Sequence, residues 1–234
     1  GRAANLEEQA LRPVEDILEM HTSWKEVVGK LQQSSFYVPR FAAVFGARPV
    51  RQEMVVMALA QFERTLISDN SKYDQVLRRE ASFTEKERLG MELFFTEKAD
   101  CFHCHGNIFF TDMAFHDIGL DREPEDSGLG GFVGRKRDRG KFKTPTLRNL
   151  AFTGPYMHDG RFATLEAVVD FYSEGLQPSA NIDPLMKHAD RGGVHLNEEE
   201  KSALVAFLFT LTDSSFVAQE AFGNPFLEGR GASW

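Results

Sequence analysis

Two cysteines and a histidine carry the clearest chemical meaning in the sequence: Cys101, Cys104 and His105. The spacing Cys-x-x-Cys-His is typical of c-type haem attachment, in which two thioether bonds hold the porphyrin edge and the histidine binds the iron. A redox pair would be expected in a βαβ setting, which the sequence does not show. A zinc site would need more cysteines or a spaced pair of histidines, and the chain has only 2 cysteines. The motif therefore predicts one covalently bound haem c.

The second axial ligand of that iron is not determined by spacing. A methionine would raise the reduction potential, and an anionic tyrosine would lower it by favouring ferric iron. A methionine in a helical chain more often fills the core, and a tyrosine at a helix end more often anchors an interface. The candidate side chains are Met113, Met157, Met186, His116, His158, His188, His195 and Tyr172.

The composition is that of a globular chain with an acidic balance. Its 234 residues are 42% hydrophobic and 26% charged, which is enough for one large domain or two small ones. The net charge of −8 argues against nucleic acid as a partner, because phosphate binding needs clustered Lys and Arg. We interpret the basic run at 135–141 as a solvated loop. No apolar run is long enough to span a bilayer.

The elements that must position these residues are mostly α-helices, and no strand pattern of useful length appears. Capping boxes predict helix starts at Thr84–Glu87 and at Asn197–Glu200. Apolar residues at helical spacing predict the other helices, at Trp24–Gln33, Val38–Phe45, Val50–Ser68 and Thr164–Tyr172. The segment 106–143 reads as a loop, and loops of that length are uncommon unless they are functional or pack on a ligand.

The capped helix that begins after Arg79–Phe83 suggests a domain boundary there. We therefore expect a first domain at 1–80, a second at 81–215 and a tail at 216–234. The fold class expected is mostly α, with c-type cytochrome domains whose long loops pack around haem.

Two stretches resemble the bacterial di-haem cytochrome c peroxidase family, which includes the MauG-type enzymes. One is Thr144–Glu166, with its Thr-Pro-Thr-Leu-Arg-Asn and Pro-Tyr-Met-His-Asp-Gly-Arg-Phe segments. The other is Gly1–Gln9, followed by Pro13 and Glu19. Members of the family fold as two cytochrome c domains with one haem each. The resemblance implies that this chain carries the second, electron-transfer haem. The peroxidatic haem domain is then expected upstream of Gly1, and residues 1–80 complete its distal side.

Several roles follow from the resemblance by position. Gln9 and Glu19 match residues above the peroxidatic iron, where a carboxylate can move a proton between the two oxygens of hydrogen peroxide. Thr153 and Pro155 match backbone-carbonyl ligands of a calcium site. The resemblance also places His158 beside the haem edge and assigns both His158 and Arg148 to haem binding.

Tyr172 is the most informative of these positions. It lies fourteen residues after His158, where typical family members have a methionine that binds the second iron. MauG-type enzymes have a tyrosine there as axial ligand. The resemblance therefore implies an oxygen-ligated haem that stores oxidising equivalents, and Met157 remains the alternative ligand.

The function implied is that of a periplasmic enzyme that uses hydrogen peroxide. Its partner would be an electron-donor cytochrome or cupredoxin, or a protein substrate that is oxidised in the MauG manner. A mono-haem electron-transfer cytochrome c is the main alternative, weakened by the 80 or so residues before the haem domain. A haem-based sensor is a third hypothesis, but such proteins usually carry a signalling domain, which the sequence does not show.

Overall fold

The computed structural model describes residues 2–224 and shows the mostly α fold that the sequence predicted. The chain divides into two compact units, Gly1–Ile67 and Ser68–Trp234. Gly1, which begins the family-like stretch Gly1–Gln9, and residues 225–234 of the expected tail lie outside the described residues. Among residues 2–224, no helix is long and apolar enough to cross a membrane.

The described part of the first unit, residues 2–67, contains four α-helices. Side-chain caps start two of them, because Asn5 accepts from the Glu8 amide and Ser23 from the Glu26 amide. A small core of buried apolar residues joins the helices, including Ala10, Val14, Trp24, Val50, Val55 and Val56. The helices are α1 (Leu6–Glu15), α2 (Trp24–Gln33), α3 (Tyr37–Phe45) and α4 (Gln52–Thr65).

The second unit contains the haem-attachment motif and is also mainly helical. Its helices are α5 (Lys72–Leu77), α6 (Glu85–Phe94), α7 (Phe102–His105), α8 (Gly128–Val133), α9 (Leu165–Asp170), α10 (Glu198–Phe209) and α11 (Ser214–Val217). Two short antiparallel strands, β1 (Phe115–His116) and β2 (Phe142–Lys143), pair Phe115 with Lys143. These two-residue strands are too short to produce an alternating pattern, which is why the sequence did not reveal them.

The core of the second unit forms where α6 packs on α10. Gly90 permits this contact, because a Cβ atom at that position would lie 1.9 Å from the carbonyl oxygen of Ala203. Phe94, Phe110 and Phe207 are fully buried beside it. Both predicted capping boxes are present, at Thr84 with Glu87 and at Asn197 with Glu200.

The helix predicted at Thr164–Tyr172 differs from the structure at its carboxyl end. The α-helical part ends at Asp170 and continues as one π-helical turn, Phe171–Gly175. Such turns are rare and often occur at functional sites. Tyr172 lies within this turn, which we call the π turn.

The helix expected at Val50–Ser68 is also shorter, and runs from Gln52 to Thr65. Its N-cap Arg51 is extended, and its C-cap Leu66 has left the helical region. The loop at 106–143 contains local structure, namely β1, α8, a 3₁₀ turn at Lys136–Asp138 and the pairing residues of β2.

The division after Ile67 falls before the boundary expected at residue 80. The reason is that α5 is attached to the second unit. The Tyr73 amide donates to the Thr210 carbonyl at 2.9 Å, and Asp74 forms an ion pair with Arg148. The roles expected for the domains remain predictions.

Candidate haem site

The haem-attachment motif forms a single helical turn. Cys101 is the N-cap of α7, and the His105 amide donates to the Cys101 carbonyl at 3.1 Å. Residues three and four positions apart lie on the same side of a helix, so Cys101, Cys104 and His105 share one face. This is the placement that a porphyrin bound by two thioethers and one imidazole needs.

His105 is held in the form that binds a metal. Its Nδ1 atom lies 2.6 Å from the carbonyl oxygen of Phe110. A carbonyl only accepts, so Nδ1 carries the proton and the lone pair is on Nε2. Burial lowers the pKa of His105, which favours the neutral imidazole. A neutral, oriented imidazole with a free Nε2 fits an axial ligand of haem iron.

The two cysteines do not have the electrostatics of a redox pair. Burial, and then nearby Asp100, raises the pKa of Cys101 to about 12. Burial, followed by Asp112, raises the pKa of Cys104 to about 11. A reactive redox thiol needs a lowered pKa, because the thiolate is the reacting form. The surroundings therefore fit covalently attached sulfurs better than a redox pair.

Tyr172 lies beside this motif. Burial raises the pKa of its phenol above the usual value, and Cys101 and Cys104 raise it further. Its hydroxyl has no hydrogen-bond partner among residues 2–224, which leaves the oxygen available to another group. Tyr172 belongs to an apolar cluster that also contains Met157, Met186, Ile118, Leu120 and Phe162 around buried Phe171, Leu176 and Ala189.

The other candidate axial histidines are engaged elsewhere. His116 uses both ring nitrogens, with Asp183 at 2.7 Å and Asp112 at 2.8 Å. His188 bonds to the Arg191 side chain, and the His195 ring bonds to the Arg191 carbonyl at 2.9 Å. The exposed His158 ring stacks on Phe142, with centroids 3.7 Å apart.

The candidate methionines fall into two groups. Met113 is exposed in the long loop, whereas Met157 and Met186 belong to the apolar cluster of Tyr172. These placements leave Tyr172, Met157 and Met186 as the unengaged candidate ligands in that cluster.

Arg148 is largely committed to protein groups. Its two terminal nitrogens each lie 2.9 Å from a carboxylate oxygen of Asp74. Its Nε donates to the Ile108 carbonyl at 3.0 Å, and Nη1 also reaches the Ser68 carbonyl at 3.3 Å. The guanidinium therefore connects α5 to the loop that follows the haem motif. The sequence did not predict the roles of Asp74 and Phe110. Asp74 contacts Arg148 across a long stretch of chain, and Phe110 contacts His105 through a backbone carbonyl.

The candidate calcium ligands lie on an exposed segment. Thr153 and Pro155 follow a 3₁₀ turn at Leu150–Phe152, and the Gly154–Pro155 peptide bond is cis. Hard carbonyl oxygens such as theirs suit calcium.

The candidate peroxide residues belong to the first unit. Gln9 is exposed on α1, and Glu19 is exposed in the turn that follows it. That turn folds back on the helix, because the Met20 amide donates to the Pro13 carbonyl at 3.0 Å. Exposed apolar side chains, including Ile17, Leu18 and Met20, flank Glu19.

Comparison with known proteins identifies the family. The family profile described as di-haem cytochrome c peroxidase matches residues 1–82. The crystal structure of a MauG-like protein associated with microbial copper homeostasis superimposes with a TM-score of 0.86 and 37% identity, covering 94% of this chain and 72% of the other. The chain belongs to the di-haem cytochrome c peroxidase and MauG family.

Two relatives illustrate the range of this family. The methylamine utilization protein MauG of Methylorubrum extorquens is 40% identical over 215 residues, which are 90% of this chain and 59% of the relative. Cytochrome c551 peroxidase of Nitrosomonas europaea is 34% identical over 224 residues, 91% of this chain and 60% of the relative. The chain thus spans about three fifths of the length of these relatives.

Proposed function

We propose that this chain is the haem-bearing C-terminal part of a di-haem enzyme that uses hydrogen peroxide. The proposal depends on the state of His105, one helical turn after Cys101. Its imidazole is neutral and is oriented by a hydrogen bond to the Phe110 carbonyl. Tyr172 lies beside the same turn, in a chain that is 40% identical to a MauG protein.

Each residue of the site has a separate task. Cys101 and Cys104 would anchor the haem c through thioether bonds, and His105 would bind its iron through Nε2. Tyr172 would be the second iron ligand through its hydroxyl oxygen, with Met157 as the alternative. His158 and Arg148 belong to the surroundings of the haem. The bound haem supplies a centre for one-electron redox chemistry.

Tyrosine at position 172 favours storage of oxidising equivalents over the uptake of electrons at high potential. An anionic oxygen ligand favours ferric iron, whereas a methionine sulfur favours the ferrous form. Because burial raises the pKa of the Tyr172 phenol, the free side chain is neutral. Its ionisation therefore requires a positive charge at the oxygen, which a bound iron would provide. A haem that stores oxidising equivalents suits a protein substrate better than a small electron donor.

Residues of the first unit would act on peroxide beside a second haem of the whole protein. Glu19 accepts a proton from one peroxide oxygen on its carboxylate and returns it to the other oxygen, while Gln9 orients the peroxide by hydrogen bonding. Both residues fall within the segment that matches the family profile. The carbonyls of Thr153 and Pro155 would contribute two oxygens to a calcium site. The whole protein would act in the periplasm.

Counting haems and following peroxide tests this function. In the full-length protein, we expect two haems by pyridine-haemochrome assay and intact mass. Stopped-flow spectra should also change on mixing with hydrogen peroxide. One haem together with unchanged spectra would contradict the proposal and support a mono-haem electron-transfer cytochrome c.

A further inference from the structure

Three consecutive backbone carbonyls after the haem motif each bind a side chain. They belong to Ile108, Phe109 and Phe110, and their donors are Arg148 Nε at 3.0 Å, Thr146 Oγ1 at 2.6 Å and His105 Nδ1 at 2.6 Å, respectively. Two donors come from the Thr-Pro-Thr-Leu-Arg stretch, and the third is the candidate iron ligand. The loop Ile108–Phe110 is therefore bound by Thr146 and Arg148, and it in turn binds the ring of His105.

Arg148 reaches this loop from a fixed position. Its guanidinium forms a two-bond ion pair with Asp74, and both partners are largely buried. Ser71 fixes the carboxylate in turn, with its Oγ atom 2.6 Å from an Asp74 oxygen. Bidentate pairs of this kind define the geometry of both groups as well as their energy. The Nε–H of Arg148 is thus aimed at the Ile108 carbonyl by the second unit's own framework.

The loop conformation depends on such external contacts. Phe110 is fully buried and has a φ of +53°, a left-handed conformation that is unfavourable for a residue other than glycine. Strained conformations persist only where neighbouring groups enforce them. The next residue is also tied to the same stretch, since Thr111 Oγ1 donates to the Thr144 carbonyl at 2.6 Å.

We propose that Thr146 and Arg148 are positioning residues for His105. They hold the loop Ile108–Phe110 so that the Phe110 carbonyl remains hydrogen-bonded to Nδ1 of His105. The guanidinium of Arg148 is bonded to Asp74 and to backbone carbonyls, so it acts on His105 through the loop. The inference rests on the proposed role of His105 as an iron ligand. A hydrogen bond at Nδ1 increases the basicity of Nε2, and a more basic ligand favours ferric iron. A displaced loop should therefore raise the reduction potential of the haem.

The decisive variant is Thr146→Val, which removes the hydroxyl and nearly preserves the volume. We expect a higher reduction potential and a changed ferric electron paramagnetic resonance signal in the haem-loaded protein. Thr146→Ser retains the hydroxyl and should restore both. Arg148→Lys keeps the charge, but a lysine cannot form two bonds to Asp74 and also reach the Ile108 carbonyl. This variant should therefore also raise the reduction potential and change the electron paramagnetic resonance signal.

Thr210→Val is the matched control. Its hydroxyl donates to the Phe207 carbonyl at 2.6 Å and is buried, but it is not bonded to the loop. It should lower thermal stability and leave potential and signal unchanged. If Thr146→Val leaves both quantities at wild-type values, or if Thr210→Val shifts them equally, the inference is overturned.

A separate measurement distinguishes this failure from failure of the proposed function. Electron–nuclear double resonance on wild-type protein labelled with ¹⁵N-histidine should detect a histidine nitrogen coupled to ferric iron. Absence of that coupling would refute the ligand role of His105 itself. Its presence with an unaffected Thr146→Val protein would refute only the positioning role.

Discussion

The imidazole of His116 binds the carboxylate of Asp183, with Nδ1 2.7 Å from Oδ2. Asp112 binds the opposite ring nitrogen at 2.8 Å, so the ring lies between two carboxylates. Burial alone would lower the pKa of His116, but the hydrogen bonds to Asp183 and Asp112 outweigh it and raise the pKa above 6.5. The ion pair between His116 and Asp183 ties the long loop after the haem motif to the segment after the π turn.

This arrangement predicts a pH dependence of stability. Because the folded pKa is raised, the stabilisation is fully present below about pH 6.5, the unfolded value, and is lost as pH rises through the folded pKa. Thermal unfolding followed at a series of pH values should show a falling midpoint over that interval. His116→Gln should flatten the decline, and an equally steep decline in this variant would assign the dependence to other groups.

Replacement of Tyr172 by Phe should alter the haem without harming the fold. Loss of an oxygen ligand changes the ferric electron paramagnetic resonance signal and raises the reduction potential. Tyr156→Phe is the control, since its hydroxyl donates to the Leu150 carbonyl at 2.8 Å. That change should cost about 1 kcal/mol of stability and leave the signal intact. An unchanged signal in Tyr172→Phe would favour Met157 as the ligand.

Gly193 should be essential for placing the π turn. A Cβ atom there would lie 2.3 Å from the Ser173 carbonyl oxygen and 2.5 Å from that of Tyr172, and its φ is +147°. Gly193→Ala should destabilise the protein by about 1–3 kcal/mol and shift the haem signal. Gly134→Ala is the control, because its φ is +69° with open space around it. If Gly193→Ala leaves the haem signal unchanged, as the control should, the π turn does not position Tyr172.

Glu19→Gln should slow the reaction with peroxide in the protein that carries both haems. A lost acid–base group typically costs about 10²- to 10⁴-fold in rate. Unfolding free energy should change by less than about 0.5 kcal/mol, since Glu19 is exposed. The measurement is stopped-flow absorbance against peroxide concentration. Exposed Glu15 on α1 provides a control, and equal rates in Glu19→Gln and Glu15→Gln would exclude the proton-transfer role.

Local sequence signals were sufficient for much of the fold. The capping boxes at Thr84 and Asn197 are each contained within four residues, so the helix starts at α6 and α10 could be read directly. The haem motif could be read for the same reason, because its chemistry depends on adjacent residues. The short strands could not, since their pairing joins Phe115 to Lys143 across the long loop.

The sequence by itself determined the mostly α class and the haem-attachment motif. Through its resemblance to a family, it also indicated Tyr172 as a candidate iron ligand. Only the tertiary structure decided how these parts are held. The π turn replaces a regular helix end at Tyr172, and the Phe110 carbonyl orients His105. The ion pair between Asp74 and Arg148 joins residues far apart in the chain. Contacts of this kind depend on three-dimensional packing and on backbone groups that every residue type carries, so residue identity alone cannot reveal them.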